Sequence, residues 1–114
     1  MQIFKVFRAP EWADLVENGS TPGSPVDLAD GFVHFSTAEQ LSETIRRHFA
    51  GETGLVLAAM LASRGGAWLR WEASRDGALF PHLYRDFEME DVHWSRRLDD
   101  DPAAHALPAE TSCA

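Results

Sequence analysis

The longest apolar run in the sequence, residues 55–62, spans eight residues. A helix needs about 20 apolar residues to cross a bilayer, so this run predicts a segment buried inside a globular domain. We interpret residues 55–61 as a buried strand, with a helical segment as the alternative. The chain has 114 residues, which is room for one domain.

The charge balance is acidic: 18 Asp and Glu oppose 10 Lys and Arg, for a formal net charge of −8. Binding to bulk nucleic acid or to a membrane surface usually needs a basic face, so we expect neither as a partner. A small anion held by a few local arginines remains compatible with this balance. The oligomeric state stays open.

Cys113 is the single cysteine, so no intramolecular disulfide or cysteine metal site can form. The histidines lack zinc-hydrolase spacing, and we predict no metal site. Residues 1–7 are too short an apolar patch for a signal peptide. We therefore expect a cytoplasmic domain.

The order of periodic segments predicts an α+β fold. Strands are predicted at residues 2–7, 31–36, 55–61, 67–72, 79–85 and 92–98, short helices at 10–18 and 38–49, and an irregular loop at 20–29. From Asp99 onward the chain is rich in Asp, Pro and Ala without periodicity. We expect one domain over residues 1–98 and an irregular tail over 99–114.

A first polar cluster lies where a predicted strand leads into a helix. His34 and Ser36 alternate onto one strand face, and Ser36 or Thr37 has capping-box spacing to the helix. A helix start offers free N–H groups and partial positive charge, which suits an anion. The alternatives are that Ser36 only caps the helix and that His34 is a hydrogen-bonded core residue.

A second cluster follows on the strand at 67–72, where Arg70 and Glu72 share a face and Arg75 comes shortly after. A carboxylate there could hold a sugar hydroxyl while an arginine holds an anionic group. The alternative is a surface ion pair worth about 0–1 kcal/mol.

A third cluster places His82 and Tyr84 on one face of the strand at 79–85. Imidazole and phenol rings can stack on a flat ligand and donate hydrogen bonds. The alternative is a cross-strand packing pair. Because each cluster puts its polar groups on one strand face, we expect the three clusters to converge.

The segments Gly31–Thr37, Trp71–Glu72 and Phe80–Tyr84 resemble the motifs of a family of small bacterial domains of unknown function. That family is similar in fold to ADP-ribosyltransferases, above all to the NAD-dependent RNA 2′-phosphotransferases. The resemblance implies a split β-sheet around a cleft, with two short helices. It leaves the cofactor open, with NAD as the candidate.

The resemblance also implies roles for the clustered residues. His34 matches a histidine of the phosphotransferases, whereas Lys5 stands where the first strand of the transferases carries a histidine. The catalytic candidates are His34, Glu72, His82 and Tyr84. The ligand-binding candidates are Lys5, Ser36, Thr37, Arg70 and Arg75.

Three functions follow from this reading. The first is a domain that binds a small nucleotide-like anion in its cleft. The second is an active NAD-dependent ADP-ribosyl or 2′-phosphate transferase, in which electrostatic placement supplies most of the rate gain. The third is a structural or partner-binding domain without a ligand.

Overall fold

The computed structural model describes residues 1–74, 77–101 and 105–108. It is an α+β fold built from antiparallel sheets and short helices. The strands are β1 (Gln2–Phe7), β2 (Ser20–Thr21), β3 (Val33–His34), β4 (Val56–Leu61), β5 (Leu69–Ala73), β6 (Leu79–Leu83), β7 (Phe87–Glu88) and β8 (Trp94–Arg97). The α-helices are α1 (Ala9–Asn18), α2 (Pro25–Asp30) and α3 (Ala38–His48). Within these described ranges, no helix is long and apolar enough to cross a bilayer.

Two three-stranded sheets form the body of the molecule, one in the order β1-β4-β8 and one in the order β3-β6-β5. The apolar run predicted as a buried strand is β4, the centre of the first sheet, where Leu57 pairs with both Val6 and Arg96. A third pairing, of β2 with β7, adds a two-stranded ribbon. All of these pairings are antiparallel.

The first sheet separates two apolar clusters, because successive side chains of a strand point to opposite faces. On one face Ile3 and Phe7 pack with Leu15 of α1 and Phe87 of β7. On the other face the cluster contains Phe4, Val6, Leu41, Ile45, Leu55, Leu57, Ala59 and Leu98, two of them from α3. The alternation of bulky residues along β1 is thus the alternation between two cores.

The two predicted helices are confirmed within a residue or two of their expected ends. Pro10 lies in the first turn of α1, where its missing N–H costs nothing. Gly19 closes α1 with φ of 81° and donates its N–H to Leu15. Thr37 caps α3: its hydroxyl accepts from the N–H of Gln40 at 3.3 Å, and the Gln40 side chain accepts from Thr37 at 3.0 Å.

The irregular loop predicted over residues 20–29 is wrong, and so is the expectation of two helices. This stretch contains β2 and the additional helix α2. Ser24 caps α2, Pro25 occupies its first position and Gly31 closes it at φ of 86°. The sequence reading took Pro22, Gly23 and Pro25 as loop residues, whereas Pro25 begins a six-residue helix.

The strand predicted over residues 31–36 is much shorter than expected. Regular pairing is limited to β3, where His34 lies opposite His82. The chain then crosses to the first sheet, where Ser36 and Phe4 exchange two backbone hydrogen bonds of 2.8 Å. The strand predicted at 67–72 also begins later, because residues 62–68 form a 3₁₀ segment.

Candidate functional site

A cavity of about 410 Å³ lies where the two large sheets meet. β1 is an edge of the first sheet and β3 an edge of the second, and the Phe4–Ser36 bridge joins them beside the cavity. Helices α2 and α3 contribute the remaining walls. The polar residues lining it include Lys5, Arg8, Ser24, Asp27, Asp30, His34, Ser36, Thr44, Arg47, His48 and His82.

Asp27 contacts three other residues that line the cavity, namely Lys5, Ser24 and His34. One carboxylate oxygen, Oδ2, lies 2.8 Å from Lys5 Nζ and accepts the N–H of Ser24 at 2.8 Å. The other, Oδ1, accepts the backbone N–H of His34 at 3.1 Å and lies 2.6 Å from Nδ1 of its ring. Asp27 is 2% exposed, so these groups replace the water that a carboxylate would otherwise bind.

The ionisation of Asp27 follows from these contacts. Burial alone raises the pKa of its carboxyl, because desolvation disfavours the charged form. The hydrogen bond to His34 and the ammonium charge of Lys5 outweigh burial and hold the pKa of Asp27 well below its usual range. Asp27 is therefore a permanent anion at neutral pH.

His34 lies between two carboxylates of α2. Its Nδ1 contacts Asp27, and its Nε2 lies 3.0 Å from Oδ2 of Asp30. Both contacts are hydrogen bonds only when both ring nitrogens carry a proton, because an ionised carboxylate cannot donate. The two carboxylates of α2 thus hold the His34 ring at the cavity wall.

His82 lies opposite His34 in the sheet register and has a different environment. The residue is 5% exposed, and its Nδ1 lies 2.8 Å from Oε1 of Glu72. Its Nε2 is buried and makes no hydrogen bond to any part of the described chain. A buried polar atom without a partner costs about 1–3 kcal/mol, which marks this nitrogen as a candidate ligand contact.

Behind His82, Tyr84 donates its hydroxyl to the same Glu72 oxygen at 2.6 Å. The hydrogen bonds from Tyr84 and His82 lower the pKa of Glu72. The same bond to Glu72 raises the pKa of Tyr84. Glu72 therefore stays ionised and accepts the hydrogen bonds from Tyr84 and His82. The Arg70 guanidinium lies over the Tyr84 ring, 5.0 Å from its centroid.

Phe32 holds these rings together. Its ring stacks on His82 at 4.1 Å between centroids and contacts His34 at 4.5 Å and Tyr84 at 5.1 Å. The two histidine rings are 5.2 Å apart, edge to face. The expected convergence of the histidine clusters is therefore observed.

The predicted site residues differ in their position relative to the cavity. Lys5, His34, Ser36 and His82 line the cavity. Three others do not line it: Glu72, Tyr84 and Arg70. Glu72 contacts the lining residue His82, Tyr84 donates to Glu72, and Arg70 lies over the Tyr84 ring. Thr37 caps α3, as described above. Arg75 lies outside the described residues.

Two placements change how the predicted residues are read. The Lys5 ammonium is paired with Asp27 and donates to the carbonyl oxygen of His34 at 3.3 Å. Ser36 does not cap the helix: its hydroxyl lies 2.8 Å from that of Thr44, in the second turn of α3. In the described ranges, no cluster of three or more His, Cys, Asp or Glu side chains suits a metal ion.

Sequence reasoning missed Asp27, Asp30, Phe32, Arg8 and Arg47. Asp27 falls in the stretch interpreted as a loop, although Ser24 and Asp27 have the spacing of a capping box. Phe32 shares the strand alternation of His34 and could have been found by it. Arg8 and Arg47 reach the cavity from α1's start and from α3, and no local signal marks them.

Comparison with known proteins gives a family and a fold. The family described as "Protein of unknown function (DUF952)" matches residues 6–95. The crystal structure of protein CC0527 from Caulobacter crescentus is 44% identical, with a TM-score of 0.85 over 96% of this chain and 94% of that one. Its solution NMR structure is 46% identical, with a TM-score of 0.77 over 86% of this chain and 84% of that one. A search of curated proteins found no match.

Proposed function

Because the chain belongs to the DUF952 family of proteins of unknown function, we propose a function from the geometry of its cavity: the domain binds a small nucleotide-like anion there. The observation that carries this proposal is the cavity itself, about 410 Å³ in volume. Ligand sites usually measure about 300–1,000 Å³ and combine apolar walls with a few polar groups. A mononucleotide or an ADP-ribose moiety is of the corresponding size class.

The arrangement of the sheets supports the resemblance to ADP-ribosyltransferases. The Phe4–Ser36 bridge joins the two three-stranded sheets, and the cavity lies beside this junction. A split sheet around a cleft is the arrangement that the resemblance implies. We propose this cleft as the nucleotide site.

The anionic group of the ligand is assigned to Arg8 and Arg47 rather than to Lys5. Asp27 already neutralises Lys5, which is 6% exposed. The Arg8 and Arg47 side chains are 38% and 42% exposed and line the cavity. Guanidinium groups bind phosphate through paired N–H donors, so an incoming phosphate can share these two cations with their carboxylate partners.

The remainder of the cavity suits the rest of a nucleotide. Apolar side chains from β1, α3 and β6 provide a surface for a base; they include Val6, Leu41, Phe49 and Phe80. The carboxylate of Asp30 and the hydroxyl of Ser36 can bind sugar hydroxyls. The ligand thus places its charged group toward the arginines and its neutral groups along the sheets.

Isothermal titration calorimetry with ADP-ribose, AMP and inorganic phosphate tests the proposal. We expect ADP-ribose to bind, Arg47→Gln to weaken it by about 10-fold, and added salt to weaken it further. Arg46→Gln is the matched control, because Arg46 neighbours Arg47 on α3 but does not line the cavity. Equal affinity in both variants, or no heat with any nucleotide, would overturn the proposal.

NAD is titrated in the same way as the other nucleotides. NAD-dependent transfer releases nicotinamide, whereas binding alone does not. Chromatographic detection of nicotinamide therefore separates a transferase from a binding domain.

A further inference from the structure

We propose that Nε2 of His82 accepts a hydrogen bond from a hydroxyl of the bound ligand, and that Glu72 and Tyr84 hold the His82 ring in the tautomer that makes this possible. The inference deepens the function proposed above and rests on it for the identity of the ligand. It assigns Glu72 and Tyr84 as positioning residues that do not line the cavity.

The hydrogen-bond chemistry of Glu72 fixes the tautomer. Its oxygen Oε1 lies 2.8 Å from His82 Nδ1 and 2.6 Å from the Tyr84 hydroxyl. An ionised carboxylate only accepts, so Nδ1 must carry a proton and donate. In the neutral ring, the lone pair is then on Nε2.

The His82 side chain is 6% exposed, and the His34 ring lies 5.2 Å away, edge to face. With Nδ1 donating to Glu72, a neutral His82 ring offers Nε2 as its acceptor.

The position of Nε2 is also fixed before a ligand binds. Phe32 stacks on the His82 ring at 4.1 Å with an interplanar angle of 25°. This contact and the bond to Glu72 leave the ring little freedom to rotate. Since His82 lines the cavity and its Nε2 has no partner in the described chain, a ligand donor would complete the only unmet hydrogen bond of this ring.

The partner must be a group that donates. A phosphate oxygen accepts and would meet a lone pair at Nε2, so the anionic end of the ligand does not belong here. A sugar hydroxyl does donate, and its own oxygen can accept from other groups of the wall. The inference therefore orients the ligand, with its sugar at His82 and its phosphate at the arginines.

Long-range proton–nitrogen NMR of the ¹⁵N-labelled protein tests the tautomer without any ligand. We expect a protonated Nδ1 and an unprotonated Nε2 on His82 at neutral pH. Glu72→Gln should produce a mixture of tautomers, since an amide can donate to Nδ1 as well as accept from it. Glu43→Gln, on the exposed side of α3, is the control and should leave the His82 signals unchanged. A proton on Nε2 in the unaltered protein would overturn the inference.

A second experiment compares AMP with 2′,3′-dideoxy-AMP in the unaltered protein and in His82→Phe. Phenylalanine keeps the ring and its stacking but has no acceptor. We expect the substitution to weaken the binding of AMP by about 10-fold and to leave the affinity for dideoxy-AMP nearly unchanged. Equal weakening of both nucleotides, or of neither, would overturn the hydroxyl contact. If the unaltered protein binds neither nucleotide, the proposed function fails, and the tautomer alone decides the inference about His82.

Discussion

Lys5 and Asp27 form a buried ion pair between the first strand and the helix α2. Their charged atoms lie 2.8 Å apart, and the side chains are 6% and 1% exposed. Lys5 is the single lysine of the chain, and the pair ties α2 and its cavity wall to the first sheet. Removing one partner would leave the other as an uncompensated buried charge.

Replacement of Asp27 by alanine should therefore destabilise the protein by about 3–5 kcal/mol. The change removes the partner of Lys5 and the acceptor of the Ser24 and His34 N–H groups. Urea denaturation followed by circular dichroism measures the loss. The double variant Lys5→Met with Asp27→Ala should lose less than the sum of the two single variants. Strict additivity would contradict the ion pair.

The lowered pKa of Asp27 predicts that the stability of the protein depends on pH. The folded-state pKa of Asp27 is lowered, because contacts with His34 and Lys5 outweigh the effect of burial. A carboxyl with a lowered folded pKa stabilises the protein fully well above its unfolded value of about 3.9, and this contribution is lost as the pH falls through and below that value. Unfolding free energies measured between neutral and acidic pH should fall less steeply in Asp27→Asn. Identical slopes in the two proteins would show that Asp27 is not the titrating group.

Thr37→Ala should destabilise the protein by about 1 kcal/mol, because the hydroxyl of Thr37 caps α3. Thr37→Ser is the matched control, since it keeps the hydroxyl and should cost little. Thermal or urea denaturation compares the three proteins. A loss in Thr37→Ser as large as in Thr37→Ala would assign the effect to the methyl group instead of the cap.

Asp91 offers a comparison between two arginines outside the cavity. Arg85 binds both of its oxygens, at 2.7 and 3.0 Å, whereas Arg64 makes one bond of 3.1 Å. We expect Arg85→Gln to cost about 1.5–3 kcal/mol as a charged, two-point contact. Arg64 is more exposed, so Arg64→Gln should lower the free energy of unfolding by about 1 kcal/mol or less. Equal losses in denaturation would contradict this ranking, and neither change should alter ADP-ribose affinity.

The sequence by itself determined the elements whose signals are local. Alternation of bulky residues predicts β1 with its observed ends, Gln2–Phe7. Apolar spacing, Pro10 and Gly19 predict α1, and the Thr37 to Gln40 spacing predicts the start of α3. The same alternation predicted a shared face for His34 and Ser36, because side chains two residues apart in a strand share a face, and both residues line the cavity.

The tertiary structure alone decided the short elements and the partners of the site residues. β2, β3 and β7 have two residues each, too few for a periodic pattern, and they exist because other strands pair with them. Lys5 was a ligand-binding candidate, but Asp27 pairs with it from a helix that the sequence reading treated as a loop. Likewise Glu72, predicted as a direct site residue, contacts His82 from outside the cavity lining. Such pairings depend on distances between residues far apart in the chain, and only the packing of the two sheets sets those distances.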